Sequence, residues 1–412
     1  MENHMEDISS LNASFFRSES EVELKNAYPE VYGLIDSENE YEDTSIVPFL
    51  PLHRLNSISE RQQCLEIISE VIETGLFTSG HFIGHIEDKL REFYDAQTCI
   101  ATSSGTDALK IALKAVGVGI GDEVILPINS FAATENAVMA IGAIPVFANI
   151  DASYNMIPNE VERLSNVRTR AIIPVCLYGS TRNISEVFRK ARQAEIPVIV
   201  DAAQCFGIKS IMNFCDILAL SFNPFKNIGT FGKSGSLLTR SPEFAQISRQ
   251  YSYHGFAEGK KNIKAQNWGL NSRMDNIQAA TLSVKIKHFG VNSTKRCLLA
   301  ARYHMLLKDL SCEIHLPIEQ TENTWHLYPL FLRNLCRNQL ISYAKKRNVE
   351  LEIYYPVLSH CGDHELATSY PAKMQFRPSE DIHSSLVHIP LHNHMSFEEQ
   401  NKVVEVLHDF FR

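Results

Sequence analysis

Seven short apolar runs between Thr98 and Arg240 dominate the pattern of the chain. Segments with the periodicity of amphipathic helices, about 3.6 residues per turn, separate most of them. Strands that alternate with helices predict βαβ units around a mostly parallel sheet, an α/β architecture. The runs are Cys99–Ala101, Glu123–Leu126, Ile144–Phe147, Ala171–Val175, Pro197–Val200, Ile217–Leu220 and Ser236–Leu238.

The pattern differs on either side of this region. Helical periodicity follows Ser57-Ile-Ser-Glu60, which has capping-box spacing, and residues 242–310 are predicted to be mainly helical, with a polar loop at 255–266. From about Trp325 the pattern predicts a smaller α+β unit. Its predicted elements are strands at Trp325–Leu332 and Val349–Tyr355, a helix at Gln339–Arg347, and a last helix that begins at Ser396-Phe-Glu-Glu399.

Acidic residues are concentrated at the N-terminus. Residues 1–45 contain twelve Asp or Glu and two Lys or Arg, so they account for the net charge of −9. We predict a partly disordered acidic extension over residues 1–45, with a short helix near Glu19–Ala27. It is either a solvated tail or an arm on the body, and partner binding is a third interpretation. The rest divides into a large domain, residues 46–290, and a small C-terminal domain, residues 291–412.

Composition excludes several classes of function. The body has no excess of basic residues, so no nucleic-acid partner is expected. No stretch approaches the ~18 apolar residues that span a bilayer, and the acidic N-terminus lacks the features of a signal peptide. The nine cysteines are scattered and form no C-x-x-C motif. These features predict reduced thiols in a cytoplasmic protein that does not contact membranes.

Three polar residues follow two of the predicted strands. Asp201 ends the run Ile196–Val200, Ser221 ends the run Ile217–Leu220, and Lys226 follows in a loop. Ligands bind at the carboxyl ends of strands in open α/β sheets, so these groups are expected to converge. A simple Asp–Lys salt bridge would explain them. They also suit pyridoxal phosphate, whose aldehyde needs a lysine and whose ring nitrogen needs an acid.

Another stretch predicts a phosphate site. Ser104-Gly105-Thr106 lies between a predicted strand and a predicted helix. Free N–H groups at a helix N-terminus bind phosphate, but for this stretch alone a plain N-cap serine is the favoured interpretation.

Three other motifs are rejected. Gly117-Val-Gly-Ile-Gly121 follows a helix and precedes a strand, the wrong order for a dinucleotide site. Gly232-Lys233-Ser234 resembles the end of a P-loop, but Asn227 replaces the required first glycine. His388, His392 and His394 resemble a metal cluster, but Pro390 opposes the helix that would align the first two. No metal is therefore expected.

Five stretches in this order resemble the DegT/DnrJ-type sugar aminotransferases, pyridoxal phosphate enzymes with the aspartate aminotransferase fold (fold type I). The resemblance covers about Val47 to the C-terminus and implies a large, mostly parallel-sheet domain and a small α+β domain. The stretches are Thr102–Leu109, Ser130–Asn136, Asp201–Gln204, Ser221–Asn227 and Asn271–Ala279.

The resemblance also implies roles for individual residues. Lys226 binds the cofactor's aldehyde and then moves the proton, and Asp201 pairs with the ring nitrogen. Asn271 reaches the phosphate from a partner subunit, which implies a homodimer with shared active sites. The remaining implied cofactor contacts are Gln204 near the phenolic oxygen, Phe131 on the ring, and Gly105, Thr106, Ser221 and Asn223 at the phosphate.

Two further stretches, Tyr253-His254-Gly255-Phe256 and residues 354–360, resemble a branch that transfers the amino group of glutamate to 3-oxo-glucose 6-phosphate in kanosamine formation. The predicted substrates are therefore glutamate and a keto-sugar phosphate. Tyr178, His254 and Tyr355 are the predicted substrate residues. The lysines at 260, 261 and 264 belong either to a solvated loop, as charge runs usually do, or to a flexible cover that binds the anionic group of the sugar.

Two alternatives remain: a transaminase for a nucleotide-linked keto sugar, and a non-catalytic sensor with the same fold. One departure concerns the substrate. Many members have G-E-G-G where this chain has Gly232-Lys233-Ser234-Gly235.

Overall fold

The structure is a computed structural model that describes residues 7–18, 20–37, 45–260, 262–318, 321–334, 336–361 and 376–412. Helices and strands alternate through its central part, as predicted. Within these ranges the α-helices are α1 (Ile8–Phe15), α2 (Glu21–Ala27), α3 (Pro29–Ser37), α4 (Ile58–Thr74), α5 (His81–Phe93), α6 (Gly105–Ala115), α7 (Ala132–Met139), α8 (Glu160–Leu164), α9 (Ile184–Gln193), α10 (Pro242–Ser252), α11 (Asn276–Leu306), α12 (Arg337–Lys345), α13 (Arg377–Ser385) and α14 (Phe397–Phe411).

All seven predicted apolar runs contribute to strands of the large sheet. These are β1 (Thr98–Thr102), β2 (Glu123–Pro127), β3 (Ile144–Ala148), β4 (Thr169–Ile172), β5 (Ile199–Asp201), β6 (Ile217–Ser221) and β7 (Gly235–Thr239). The parallel bridges Ile172–Val198 and Val175–Asp201 join β4 to β5, which gives the order β3-β2-β4-β5-β6-β7-β1. Strand β7 is antiparallel to both of its neighbours, and the other pairs are parallel.

Helices cover both faces of this sheet. Along β2, Ile125 packs into one hydrophobic cluster, while Val124 and Leu126 pack into another. Successive side chains of a strand point to opposite faces, so apolar residues throughout a strand indicate burial on both sides. Burial on both faces explains why these strands appear in the sequence as continuous apolar runs and not as alternating apolar and polar residues.

The N-terminal extension is an ordered arm over most of its described length. Helices α1 and α2 bury Ile8, Phe15 and Leu24. Asn12 accepts a hydrogen bond of 2.9 Å from Trp325 Nε1, and Glu21 pairs with Arg302 at 2.8 Å. The prediction of partial disorder is therefore wrong for residues 7–18 and 20–37. The alternative interpretation, an arm lying on the body, describes the structure.

The C-terminal part holds a smaller antiparallel sheet. It comprises β8 (Ile314–His315), β9 (Tyr328–Leu332) and β10 (Leu386–Ile389), in the order β10-β9-β8. The predicted strand at Val349–Tyr355 is wrong, because this segment forms only isolated bridges, such as Glu352–His388.

The predicted domain boundary at residues 290 and 291 falls inside α11, which is a continuous helix of 31 residues. The division into two domains thus remains a prediction, and α11 contributes residues to both of the predicted domains. In the part of the chain that the structure describes, no helix has the length and apolarity that crossing a membrane requires.

Candidate active site

A cavity of about 610 Å³ opens at the carboxyl ends of the central strands. Asp201 ends β5, Ser221 ends β6, and Gly105 begins the helix that follows β1. The register pairs Asp201 with Ala219 and Ser221 with Gly235, so these strand ends meet at one edge of the sheet. Of the predicted site residues, the cavity brings together Gly105, Thr106, Phe131, Asp201, Gln204, Ser221, Asn223, Lys226 and Tyr355.

The carboxylate of Asp201 is buried and held from two sides. Oδ2 accepts a hydrogen bond of 2.8 Å from Thr134 Oγ1, and Oδ1 accepts one of 3.1 Å from the Ala203 N–H. Burial raises the pKa of Asp201, and these two hydrogen bonds and the charge of Lys226 oppose that rise. Each oxygen keeps further acceptor capacity. The site therefore presents a fixed carboxylate that a protonated ring nitrogen would stabilise.

Lys226 lines the same cavity from the loop after β6. Burial lowers the pKa of its amine to about 8, and the charge of Asp201 opposes this shift only in part. Among the described residues, Asp201 and Lys226 form no direct ion pair, so a structural salt bridge does not account for them. A lowered pKa makes more of the amine neutral, which is the form that attacks an aldehyde.

The N-terminus of α6 forms a cradle for an anion. Ser104 caps the helix by accepting a hydrogen bond of 3.1 Å from the Asp107 N–H. This leaves the N–H groups of Gly105 and Thr106 without acceptors inside the helix. A Cβ atom at Gly105 would lie 2.8 Å from the Ser221 Cβ atom, so glycine keeps open the space beside that hydroxyl. The serine cap and the open N–H groups thus belong to the same helical turn, so the cap interpretation and the phosphate interpretation do not exclude each other.

Gln204 joins the floor of the cavity to its aromatic wall. Its Oε1 accepts a hydrogen bond of 2.6 Å from the Tyr178 N–H, and its Nε2 donates one of 3.0 Å to the Tyr355 hydroxyl. The rings of Tyr355 and Phe131 lie 5.1 Å apart. Tyr178 is buried behind Gln204, and its hydroxyl donates to the carbonyl of Tyr354. Tyr178 thus supports the wall but does not line the cavity.

Two predicted residues lie elsewhere in this chain. Asn271 is exposed and pairs with Tyr253, next to His254. Neither Asn271 nor His254 lines the cavity of its own chain. The nearby loop borders a separate cavity of about 510 Å³ that includes Lys260, whereas Lys264 donates to the carbonyl of His254. Residue 261 lies outside the described residues.

The sequence analysis did not assign roles to three residues that position the site. Thr134 holds Asp201, as described above. Asn227 donates a hydrogen bond of 2.8 Å to the Thr324 carbonyl, and its Oδ1 lies 2.9 Å from His326 Nδ1. These bonds attach the Lys226 loop to the C-terminal part. Thr134 and Asn227 were inside quoted motifs, whereas no pattern pointed to His326.

The structure describes two of the motifs that the sequence analysis rejected. Strand β7 follows Gly232-Lys233-Ser234 directly, so this stretch is not a P-loop. His388 and His392 are buried, and burial lowers the pKa of both. In the described ranges, these histidines are not part of a group that could hold a metal ion. One such group is His360, Cys361 and Glu380.

Comparison of the sequence with models of protein families identifies the family of this chain. The profile of the DegT/DnrJ/EryC1/StrS aminotransferase family matches residues 58–408. The chain belongs to this family. The predicted family resemblance and the predicted aminotransferase class are thereby confirmed.

Similar proteins support the same assignment. The 3-oxo-glucose-6-phosphate:glutamate aminotransferase of Bacillus subtilis is 39% identical, over 89% of this chain and 84% of its own length. A dTDP-3-amino-3,6-dideoxy-alpha-D-galactopyranose transaminase of Aneurinibacillus thermoaerophilus is 32% identical, over 89% and 99%. The crystal structure of NtdA from Bacillus subtilis with bound cofactor PMP aligns with a TM-score of 0.89 and 38% identity, over 92% of this chain and 88% of that one. The predicted fold class is confirmed.

The residues of this aminotransferase fit the family's cofactor, pyridoxal phosphate. The cradle beside Gly105 would hold its phosphate, and the buried carboxylate of Asp201 would face its ring nitrogen. Lys226 would bind its aldehyde. When bound, the cofactor supplies an electron sink that stabilises negative charge at a substrate carbon.

Proposed function

We propose that this aminotransferase moves the amino group of glutamate to a keto sugar, most simply 3-oxo-glucose 6-phosphate, in amino-sugar biosynthesis. One observation carries the proposal: Asp201, Lys226 and the anion cradle at Gly105 line one cavity. A carboxylate, an amine and a phosphate cradle are together what pyridoxal phosphate chemistry requires.

In this proposal each residue has one task. Asp201, oriented by Thr134 and Ala203, keeps the ring nitrogen of the cofactor protonated. With the cofactor bound, the Lys226 amine would remove a proton from the α-carbon of glutamate as a general base and would return a proton as a general acid. In the cavity of the chain alone, burial lowers the pKa of this amine to about 8, so both of its protonation states are accessible near neutral pH.

The choice of sugar rests on the Bacillus subtilis relative, whose name states a hexose phosphate as substrate. The dTDP-sugar relative is the observation that favours a second candidate, a nucleotide-linked keto sugar. The cavity walls named above are built from Phe131 and Tyr355 beside the cofactor residues. Leu50, Phe225 and Tyr354 also line this cavity and offer an apolar surface that the base of a nucleotide-linked sugar could use.

We further propose a cytoplasmic homodimer. Asn271 is exposed and lies outside the cavity of its own chain, and Phe225 and Phe231 are exposed beside the Lys226 loop. Exposed aromatic residues next to an active site favour coverage by a partner. In such a dimer, Asn271 and the loop at 253–264 would complete the neighbour's site.

Mixed dimers test this shared site. Lys226→Ala and Asn271→Ala chains, each inactive alone, should regain part of the activity after subunit exchange. One site of the hybrid then keeps both residues. Exchange without recovery would contradict the sharing of residues, provided that Asn271→Ala alone is inactive.

The chemical test of the function uses labelled glutamate. The enzyme loaded with pyridoxal phosphate should lose its visible absorbance when ¹⁵N-glutamate is added. Addition of 3-oxo-glucose 6-phosphate should restore the absorbance and yield the labelled amino sugar in a mass spectrum. Restoration only by nucleotide-linked keto sugars would favour the second candidate. If no amino donor changes the absorbance of the bound cofactor, the alternative of a non-catalytic sensor would be favoured.

A further inference from the structure

Lys233 is a cation in the active-site cavity that the proposed chemistry does not use. It lies between the Lys226 loop and β7, and its exposed side chain lines the cavity of about 610 Å³. It makes no hydrogen bond or ion pair with any residue that the structure describes. A lysine amine without such a partner in the chain can pair with an anionic ligand.

The backbone on both sides of Lys233 is fixed. Before it, the Gly232 carbonyl accepts a hydrogen bond of 3.2 Å from Thr230 Oγ1. The buried hydroxyl of Ser234 lies 2.8 Å from Thr230 Oγ1, and the Ser234 carbonyl accepts a hydrogen bond of 2.9 Å from the Phe222 N–H. The next residue, Gly235, pairs with Thr102 and Ser221 at the edge of the anion cradle. A rigid base therefore holds the lysine side chain beside the cofactor site.

The other charged groups of the cavity already have partners or roles. Asp107 pairs with Lys110 and accepts hydrogen bonds from Ser103 and Ser272. Asp201 and Lys226 are assigned to the cofactor. Burial lowers the pKa of His326 well below its usual range, so its ring is neutral. Lys260 and Lys264, the described lysines of the loop at 253–264, do not line this cavity in the same chain. Lys233 is thus the cation of the chain's own cavity left over, among the described residues, for an anionic substrate.

We infer that Lys233 binds the phosphate monoester of the sugar substrate; this rests on the proposed function. A phosphate monoester is a compact dianion, and a lysine ammonium suits it as a point charge. The cofactor's phosphate is the other possible source of this dianion in the cavity. That phosphate has the helix N-terminus and Ser221 for its own cradle, which leaves Lys233 for the sugar.

The reverse half-reaction tests this inference with stable compounds. Enzyme loaded with pyridoxal phosphate is mixed with 3-amino-3-deoxyglucose 6-phosphate or with the same sugar without phosphate. The loss of visible absorbance gives the apparent Kd of each compound. Lys233→Met should weaken binding of the phosphorylated sugar about tenfold or more, and binding of the unphosphorylated sugar much less. Lys233→Arg should recover most of the loss.

Matched measurements separate the other outcomes. Lys345→Met, which changes an exposed lysine on α12 outside the cavity, serves as the control. Equal weakening of both sugars would mean that Lys233 only shapes the cavity. A tenfold weaker Kd for pyridoxal phosphate would assign the residue to the cofactor's phosphate. Unchanged Kd values would contradict any binding role. If the wild-type enzyme reacts with neither sugar, the proposed substrate is wrong and the inference fails with it.

Discussion

Thr134 Oγ1 donates a hydrogen bond of 2.8 Å to Asp201 Oδ2. The bond joins the first turn of α7 to the end of β5 and fixes one oxygen of the carboxylate. It also favours the ionised form of Asp201 against the effect of burial, which raises the pKa of this group. The electronic role proposed for Asp201 therefore depends on a neutral residue that does not line the cavity.

Removal of the Thr134 hydroxyl should lower the activity without preventing the binding of pyridoxal phosphate. We expect Thr134→Val to reduce kcat about tenfold, because a hydrogen bond to a charged group contributes about 1.5–3 kcal/mol. Steady-state transamination and the Kd of pyridoxal phosphate measure the two effects. Thr134→Ser keeps the hydroxyl and should retain most of the activity. Equal rates for the valine variant and the wild type would mean that Ala203 alone suffices to hold Asp201.

The cradle at Gly105 predicts a defect in cofactor binding. In Gly105→Ala the added Cβ atom would lie 2.8 Å from the Ser221 Cβ atom, a distance that forces the two segments apart. We expect the Kd of pyridoxal phosphate to rise at least tenfold while the fold persists. Titration followed by visible absorbance measures this change. Gly33→Ala is the control for adding a methyl group to a glycine, because its Cβ atom would meet no atom within 4 Å and its backbone is not left-handed. An unchanged Kd of pyridoxal phosphate in Gly105→Ala would show that the N-terminus of α6 does not bind the cofactor's phosphate.

Local patterns identified the strands and the groups at their ends. The apolar runs gave all seven strands of the large sheet, and Asp201, Ser221 and Lys226 followed from their places after two of these runs. The bond between Thr134 and Asp201 spans 67 positions, and that between Asn227 and His326 spans 99. Such pairs arise from packing, which a one-dimensional pattern does not contain.

The N-terminal arm shows the same limit. Helices as short as α1 and α2 are unstable alone, so a polar segment with weak periodicity predicted disorder. The arm gains its order from contacts with the body, including the bond from Trp325 to Asn12 across 313 positions. The failed strand at Val349–Tyr355 has a similar cause, since an apolar run does not specify whether a partner strand is available.

A buried ion pair links the segment before α4 to the last helix. Arg54 Nη1 and Nη2 lie 2.7 and 2.9 Å from the two carboxylate oxygens of Glu399, and both side chains are buried. Arg54→Met should lower the apparent free energy of unfolding by about 3–5 kcal/mol, because it leaves a buried carboxylate without its cation. Urea unfolding measures the loss. Arg189→Met, which removes an exposed pair with Glu186, should leave the urea midpoint almost unchanged.

Glu60 predicts a loss of stability in acid. Burial opposes its ionisation, but the contact with His394, whose Nε2 lies 3.8 Å from Oε2, and the charge of Lys285 outweigh burial and lower the pKa of Glu60 from 4.5 to about 2. The ionised group thus stabilises the fold fully above pH 4.5, and this contribution is lost as the pH falls toward 2.

The matched variant Glu60→Gln lacks this titration. Its urea midpoint should lie below that of the wild type at pH 6, and the gap should narrow as the pH falls from 4.5 toward 2. A gap that stays constant over this range would show that Glu60 does not titrate as the structure implies.

Reduction with sodium borohydride tests the central claim, that Lys226 is the lysine that binds the cofactor. The enzyme loaded with pyridoxal phosphate is reduced, digested and analysed by peptide mass spectrometry. We predict a phosphopyridoxyl group on Lys226 and none on Lys233, the other lysine that lines the cavity. Lys226→Ala should carry no such group and should not transaminate. A modified Lys233, or full turnover by Lys226→Ala, would contradict the account.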